Sequence, residues 1–89
     1  MKLIYILEMN LYPNPTYGEL NIRISNLEED TNFIINDAKG STIYSEFLSG
    51  HTETLNRDID LSRYADGLYF VRLISSSQSL IKKVIKLMT

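Results

Sequence analysis

The sequence has no cysteine and no tryptophan, one histidine, two prolines and four glycines in 89 residues. Without cysteine the chain can form neither a disulfide nor a thiolate metal site. His51 stands alone between Gly50 and Thr52, with no second imidazole to complete a zinc set, so it reads as a loop residue. A cysteine nucleophile is missing, and so is a Gly-x-Ser-x-Gly elbow. Gly40 and Gly67 are isolated and build no phosphate-cradling loop. No apolar run approaches the ~18 residues of a membrane-spanning helix. Charge of one sign is scarce too: 9 Lys and Arg stand against 11 Asp and Glu, a net of -2, which argues against bulk attraction to nucleic acid or an anionic membrane.

What the chain does have is a series of short strand-like runs. A length of 89 residues bounds it to one domain with a modest core. A domain of that size buries about 60–65% of its unfolded surface. The stretch Leu68-Tyr69-Phe70-Val71-Arg72-Leu73-Ile74 is the most apolar, with β-branched and aromatic residues on both phases, and predicts a central strand. Glu19 to Ile24 alternates strictly and puts Leu20, Ile22 and Ile24 on a core face. Thr31 to Asn36 and Thr42 to Phe47 form a strand pair around Asp37-Ala38-Lys39-Gly40. In that turn Asp37 can accept backbone hydrogen bonds and Gly40 can take a positive φ. Thr54 to Ile59 reads as an edge strand protected by Arg57 and Asp58. Asp60 to Gly67 predicts one helical turn with Leu61 and Tyr64 inward. Ser75 to Ser79 connects to a last strand, Leu80 to Leu87. Its phases are mixed. Ile81, Lys83, Ile85 and Leu87 share one, and Leu80, Lys82, Val84 and Lys86 the other. The expected core is Leu20, Ile22, Ile24, Phe33, Ile35, Leu61, Tyr69, Val71, Leu73 and Ile85. Six or seven short strands without helical periodicity predict an all-β fold, a small antiparallel β-sandwich of immunoglobulin-like type.

The N-terminal Met1 to Leu7 is apolar, but too short for a signal-peptide core and without a small-residue cleavage site, so it reads as a leader, linker or added strand. Leu11 to Gly18 carries Pro13, Asn14 and Pro15 in succession, which excludes a helix interior or central strand and predicts a rigid corner. Asn14-Pro15-Thr16 is not a glycosylation acceptor, since proline fills its middle position.

Candidate chemistry is sparse, and each candidate has a plainer reading. Glu28-Glu29-Asp30 could hold a hard cation, yet adjacent acids seldom converge, and a solvated turn is the simpler account. Asp37, Asp58, Asp60 and Asp66 could pair as carboxylates on a sugar, but aspartate is common in turns. Calcium is the ion that Asp58, Asp60 or Asp66 would suit best. Tyr12, Tyr17, Tyr64 and Tyr69 could stack on bases or sugars, but tyrosines on sheets more often serve the core with the hydroxyl at its rim. Lys82, Lys83 and Lys86 form the one basic cluster, suited either to meeting an anionic surface or to protecting a terminal edge strand. No cofactor, metal or catalytic residue is expected.

Four pieces of the sequence, in order, carry a family resemblance. They are Tyr12-Pro13-Asn14-Pro15-Thr16 with Gly18 and the Leu20-Asn21-Ile22 strand; Asp37-Ala38-Lys39-Gly40; Asp60-Leu61-Ser62 leading to Ala65-Asp66-Gly67-Leu68-Tyr69-Phe70-Val71; and Lys82-Lys83-Val84-Ile85-Lys86. Together they resemble the type A C-terminal sorting domains of Bacteroidota type IX secretion substrates, with residues 1–10 as approach and residues 11–89 as the domain. The resemblance implies a non-catalytic address at the end of a larger exported protein. The outer-membrane translocation machinery reads it, and a surface peptidase resembling the gingipains usually removes it. It implies a final strand, Lys82, Lys83, Val84, Ile85, Lys86 and Leu87, that is essential for recognition. Physically, a terminal edge strand exposes backbone groups to which a partner can add a strand. The competing expectation is a carbohydrate-binding or adhesive sandwich, which would need an exposed aromatic patch or aspartates converging on calcium.

Overall fold

A computed structural model describes residues 6–88. Residues 1–5 of the apolar leader lie outside the described residues. Seven strands follow one another without a helix among those residues: β1 (Glu8–Tyr12), β2 (Glu19–Leu27), β3 (Thr31–Asp37), β4 (Thr42–Leu48), β5 (Thr52–Asp60), β6 (Gly67–Ile74) and β7 (Ser79–Lys86). They form two antiparallel sheets, one in the order β1-β2-β5 and one in the order β4-β3-β6-β7. The fold is a small antiparallel β-sandwich, as the strand pattern predicted.

The burial pattern follows each strand's position. In β2 the alternation holds: Leu20, Ile22 and Ile24 are fully buried while Glu19 and Arg23 face water. β6 lies between β3 and β7, which explains its apolar character on both phases. Tyr69, Val71 and Leu73 fill the space between the sheets, and Leu68, Phe70 and Ile74 stay half-buried on the outer face. Phe33 and Ile35 of β3 complete the centre, with the Phe33 ring 5.4 Å from that of Tyr44 at a tilt of 58°. Leu7 and Met9 extend the core under β1. β5 is an edge strand, as its composition suggested.

Two expectations are corrected. Ile85 is 44% exposed, and Val84 takes the buried position instead. The phase was misjudged because Lys86 shares the inner face with Val84, and its ammonium reaches a carboxylate at the end of the sandwich. Residues 61–66 form a turn rather than a helical turn with two inward side chains. The Tyr64 N–H donates to the Leu61 carbonyl at 2.9 Å, and Leu61 is buried, but Tyr64 is exposed.

One side of the sandwich is closed by Arg57 of edge strand β5 and Glu46 of edge strand β4. The guanidinium donates from Nε and Nη2 to the carboxylate, with a shortest contact of 2.7 Å, and the Tyr44 hydroxyl donates to Glu46 at 2.6 Å. The Arg57 hydrogen bonds hold the Glu46 carboxyl below its ordinary value of 4.5. Its contribution is therefore complete above that value and is lost as pH falls through the lowered one. We expect the urea midpoint to drop as pH falls below the ordinary carboxylate value, and to drop less in Glu46→Gln. The difference should be worth about 1 kcal/mol or less, since both side chains keep solvent access. Equal acid sensitivity of the two proteins would remove Glu46 from the account.

At the C-terminal end of β4, the link into β5 passes close over the link between β2 and β3. A Cβ on Gly50 would lie 2.7 Å from the Glu29 carbonyl carbon and 2.8 Å from the Glu28 oxygen, both backbone atoms. Gly50→Ala should cost about 1–2 kcal/mol, because two loops must separate to admit one methyl. A denaturation midpoint equal to that of the parent would show that the loops yield freely.

Candidate recognition site

The corner at residues 13–18 connects β1 to β2 within one sheet, yet it hydrogen-bonds to the edge of the other. Both prolyl bonds, Tyr12–Pro13 and Asn14–Pro15, are cis. Between the prolines the Asn14 side chain reaches β7: its Nδ2 donates to the Lys83 carbonyl at 2.9 Å, and its Oδ1 accepts from the Ile85 N–H at 3.0 Å. Two residues on, the Thr16 N–H donates to the Ile85 carbonyl and the Leu87 N–H donates to the Thr16 carbonyl, each at 2.8 Å. Thr16 pairs with Lys86 as a parallel bridge. The corner is thus a strap along the outer edge of β7, and it ties the start of the domain to its end. The expectation of a wholly free terminal edge is corrected: from Lys83 to Leu87 that edge is occupied.

Thr16 anchors the strap. It is 1% exposed; its hydroxyl accepts from the Gly18 N–H at 3.0 Å and donates to the Glu19 carbonyl. Gly18 then turns at φ +154 with its carbonyl accepting from the Leu61 N–H at 2.8 Å. A Cβ there would stand 3.1 Å from the Ser62 Cβ, so a side chain would press on the 61–66 turn as well as strain the backbone. In the sequence Thr16 stood only as the last residue of the Tyr12-Pro13-Asn14-Pro15-Thr16 motif, with no role of its own.

Lys86 and its neighbours lie under this strap. The ammonium donates to the Tyr64 carbonyl and to Asp66 Oδ1, each at 3.0 Å, and the Lys86 side chain is 9% exposed against 38% for Asp66. Gly67 is the register partner of Lys86, and Asp37 is that of Tyr69. Asp37 Oδ1 accepts from the N–H groups of Lys39 and Ser41 and so shapes the β3–β4 hairpin, where Gly40 has φ +90. Tyr69 is buried and its hydroxyl donates to the Ala65 carbonyl; burial pushes its phenol above the ordinary value. Pro13, Asn14, Pro15, Gly18, Asp37, Gly40, Asp66, Gly67 and Tyr69 therefore gather at one end of the sandwich, around the C-terminal end of β7.

The rest of the basic cluster points elsewhere. Lys82 and Lys83 are exposed, as are Ile81, Ile85 and Leu87. Tyr17, Tyr64 and Met88 wall a groove of about 560 Å³ whose lining includes Asp66 and Lys86. Asp60 accepts from the Ser62 N–H at 2.8 Å, and Glu29 accepts from the hydroxyls of Ser75, Ser76 and Ser77 across the β6–β7 hairpin. Among the described residues the acids and His51 form no cluster of metal-ligating side chains.

The sequence matches the family of secretion system C-terminal sorting domains over residues 10–87. The chain belongs to that family. Among curated proteins, none is similar to it at a significant level. Membership gives the sorting domain a signal role in type IX secretion, engagement with that secretion machinery in general, and export to the surface or beyond as part of a larger protein. The match begins within β1 and ends just past β7, so it takes in both ends of the strap.

Proposed function

We propose that residues 11–89 are a non-catalytic address, with residues 1–10 leading in from an N-terminal cargo domain and adding the first part of β1 to the sandwich. The outer-membrane translocation machinery of type IX secretion reads the address, and a surface peptidase then removes it. The family match supports this reading, and the strap strengthens it. The strap makes the Pro13–Thr16 corner and the Lys82–Leu87 strand one continuous surface, although they are separated by most of the chain.

Within that surface the residues divide by what they can touch. Lys82, Lys83, Ile85 and Leu87 are exposed and would meet the machinery, the lysines steering the encounter. Val84 and Lys86 are buried and would hold the strand in place. The test is a periplasmic reporter fused ahead of the chain in a type IX-competent host, with Lys82→Gln and Lys83→Gln combined. Export should fall several-fold while the thermal midpoint stays within about 2–4 °C, the shift expected of surface substitutions in a domain this size. Undiminished export from the folded double variant would leave the lysines as edge protection and move recognition elsewhere.

A further inference from the structure

We propose that the Asn14 side chain is a removable cover for the outer edge of β7, and that it gives way to an extended partner segment carrying an acidic residue between apolar ones. A single planar amide makes both Asn14 bonds to β7, to the Lys83 carbonyl and from the Ile85 N–H. These are the two bonds that one residue of an added parallel strand would make on either side of Val84, as Thr16 makes them on either side of Lys86. Asn14 therefore occupies a strand's place without being a strand.

The two contacts of the strap differ in how firmly they are held. Thr16 is buried, bonded through backbone and hydroxyl alike. Asn14 is exposed and its two hydrogen bonds are solvent-accessible. Local opening starts where few buried contacts resist it. Asn14 can thus swing away while Thr16 stays, freeing the Lys83 carbonyl and the Ile85 N–H. The edge from Ser79 to Ile81 has no strap contact among the described residues. Release of Asn14 extends the open edge to run from Ser79 to Ile85, enough for a mean strand of about 5–6 residues.

The outer face of β7 states what should pair there. It reads Ile81, Lys83, Ile85, with the isoleucines 55% and 44% exposed. Behind these residues on β6 lie Arg72, Phe70 and Leu68, in register. Arg72 Nε is buried without a hydrogen-bond partner. The cross-strand rows Ser45-Ile34-Arg72-Ile81 and Thr42-Asn36-Phe70-Lys83 contain two cations and no carboxylate. A fifth strand would present apolar, acidic, apolar side chains to this face. A second copy of β7 fits poorly, because it would set lysine near lysine.

The cover follows from the strap's geometry, so the export test above can fail and leave it standing. Its own test uses the isotope-labelled 89-residue chain and its Asn14→Ala and Asn14→Asp variants. The second variant keeps the acceptor for Ile85 but offers Lys83 no donor, and it serves if alanine impairs folding. Amide exchange at Ile85 should quicken about tenfold in Asn14→Ala and by less in Asn14→Asp, whose carboxylate still accepts from that N–H, whereas Leu87, held by Thr16, should change by less than about threefold. The probe is the peptide Thr-Val-Thr-Glu-Thr-Val-Thr, with lysine replacing glutamate as control. If the covered edge is open about 1–10% of the time, removing the cover should tighten peptide binding about 10–100-fold. Unchanged exchange at Ile85 in Asn14→Ala, or one uniform acceleration of all amides in either variant, overturns the cover. Equal binding to parent and variant, or binding to neither, overturns the competition. Equal binding of the lysine peptide overturns the acidic partner.

Discussion

Replacing Phe33 with alanine should remove a large share of the domain's stability and lower sorting with the fraction that stays folded. Phe33 is fully buried on β3, which is paired on both sides by β4 and β6. Its ring is the largest fully buried side chain and packs on Tyr44. Phenylalanine to alanine in a core costs about 3–5 kcal/mol, transfer and cavity together. A chain of 89 residues has a total stability of roughly 4–13 kcal/mol at ordinary values per residue. The substitution therefore consumes a large share of it. Urea denaturation should show the midpoint shift, with Phe33→Leu losing much less. The functional arm is sharper. The proposed address is assembled from residues far apart in sequence, so it exists only in the folded chain. A Phe33→Ala reporter that is unfolded yet exported at the parent rate would mean that the machinery reads β7 as a linear peptide, and the composite surface would be refuted.

Strands were legible in the sequence wherever one face alone is buried. Leu20, Ile22 and Ile24 gave the register of β2 because their partners Glu19 and Arg23 gain nothing from burial. The Asp37 to Gly40 hairpin was legible because its hydrogen bonds are local. β7 was not, for a physical reason. A lysine on the inner face is tolerated there only because Asp66 lies 20 residues earlier in the chain and one strand away in space. Periodicity carries no information about such a partner. The strap failed to show for the same reason. Two prolines announce a corner, but the bonds from Asn14 and Thr16 to β7 span the chain. The family pattern held those residues together where local chemistry could not.

Removing Asp66 should harm the domain more than removing the charge it pairs with. The Lys86 ammonium is enclosed and makes two hydrogen bonds, to Asp66 and to the Tyr64 carbonyl. In Asp66→Ala it keeps only the carbonyl, and hydrogen bonds to charged groups are worth about 1.5–3 kcal/mol. A loss of about 2–3 kcal/mol is expected, below the 3–5 kcal/mol of a fully buried broken pair, roughly because Asp66 itself meets solvent. Lys86→Met keeps the apolar stem and removes the ammonium, while Asp66 can turn to water, so its change should stay within about 1 kcal/mol. The double variant should be about as stable as Lys86→Met alone, since with no ammonium to strand the carboxylate has little left to do. Urea midpoints of the three variants read the cycle directly; a Lys86→Met loss as large as that of Asp66→Ala would mean that the pair itself stabilises the end of the sandwich. The same methionine variant also separates holding from recognition. Folded and exported like the parent, it leaves Lys82 and Lys83 as the charges that meet the machinery. Folded but retained in the periplasm, it makes the Lys86 ammonium part of what is read, through the groove between Tyr17, Tyr64 and Met88 that it helps to line.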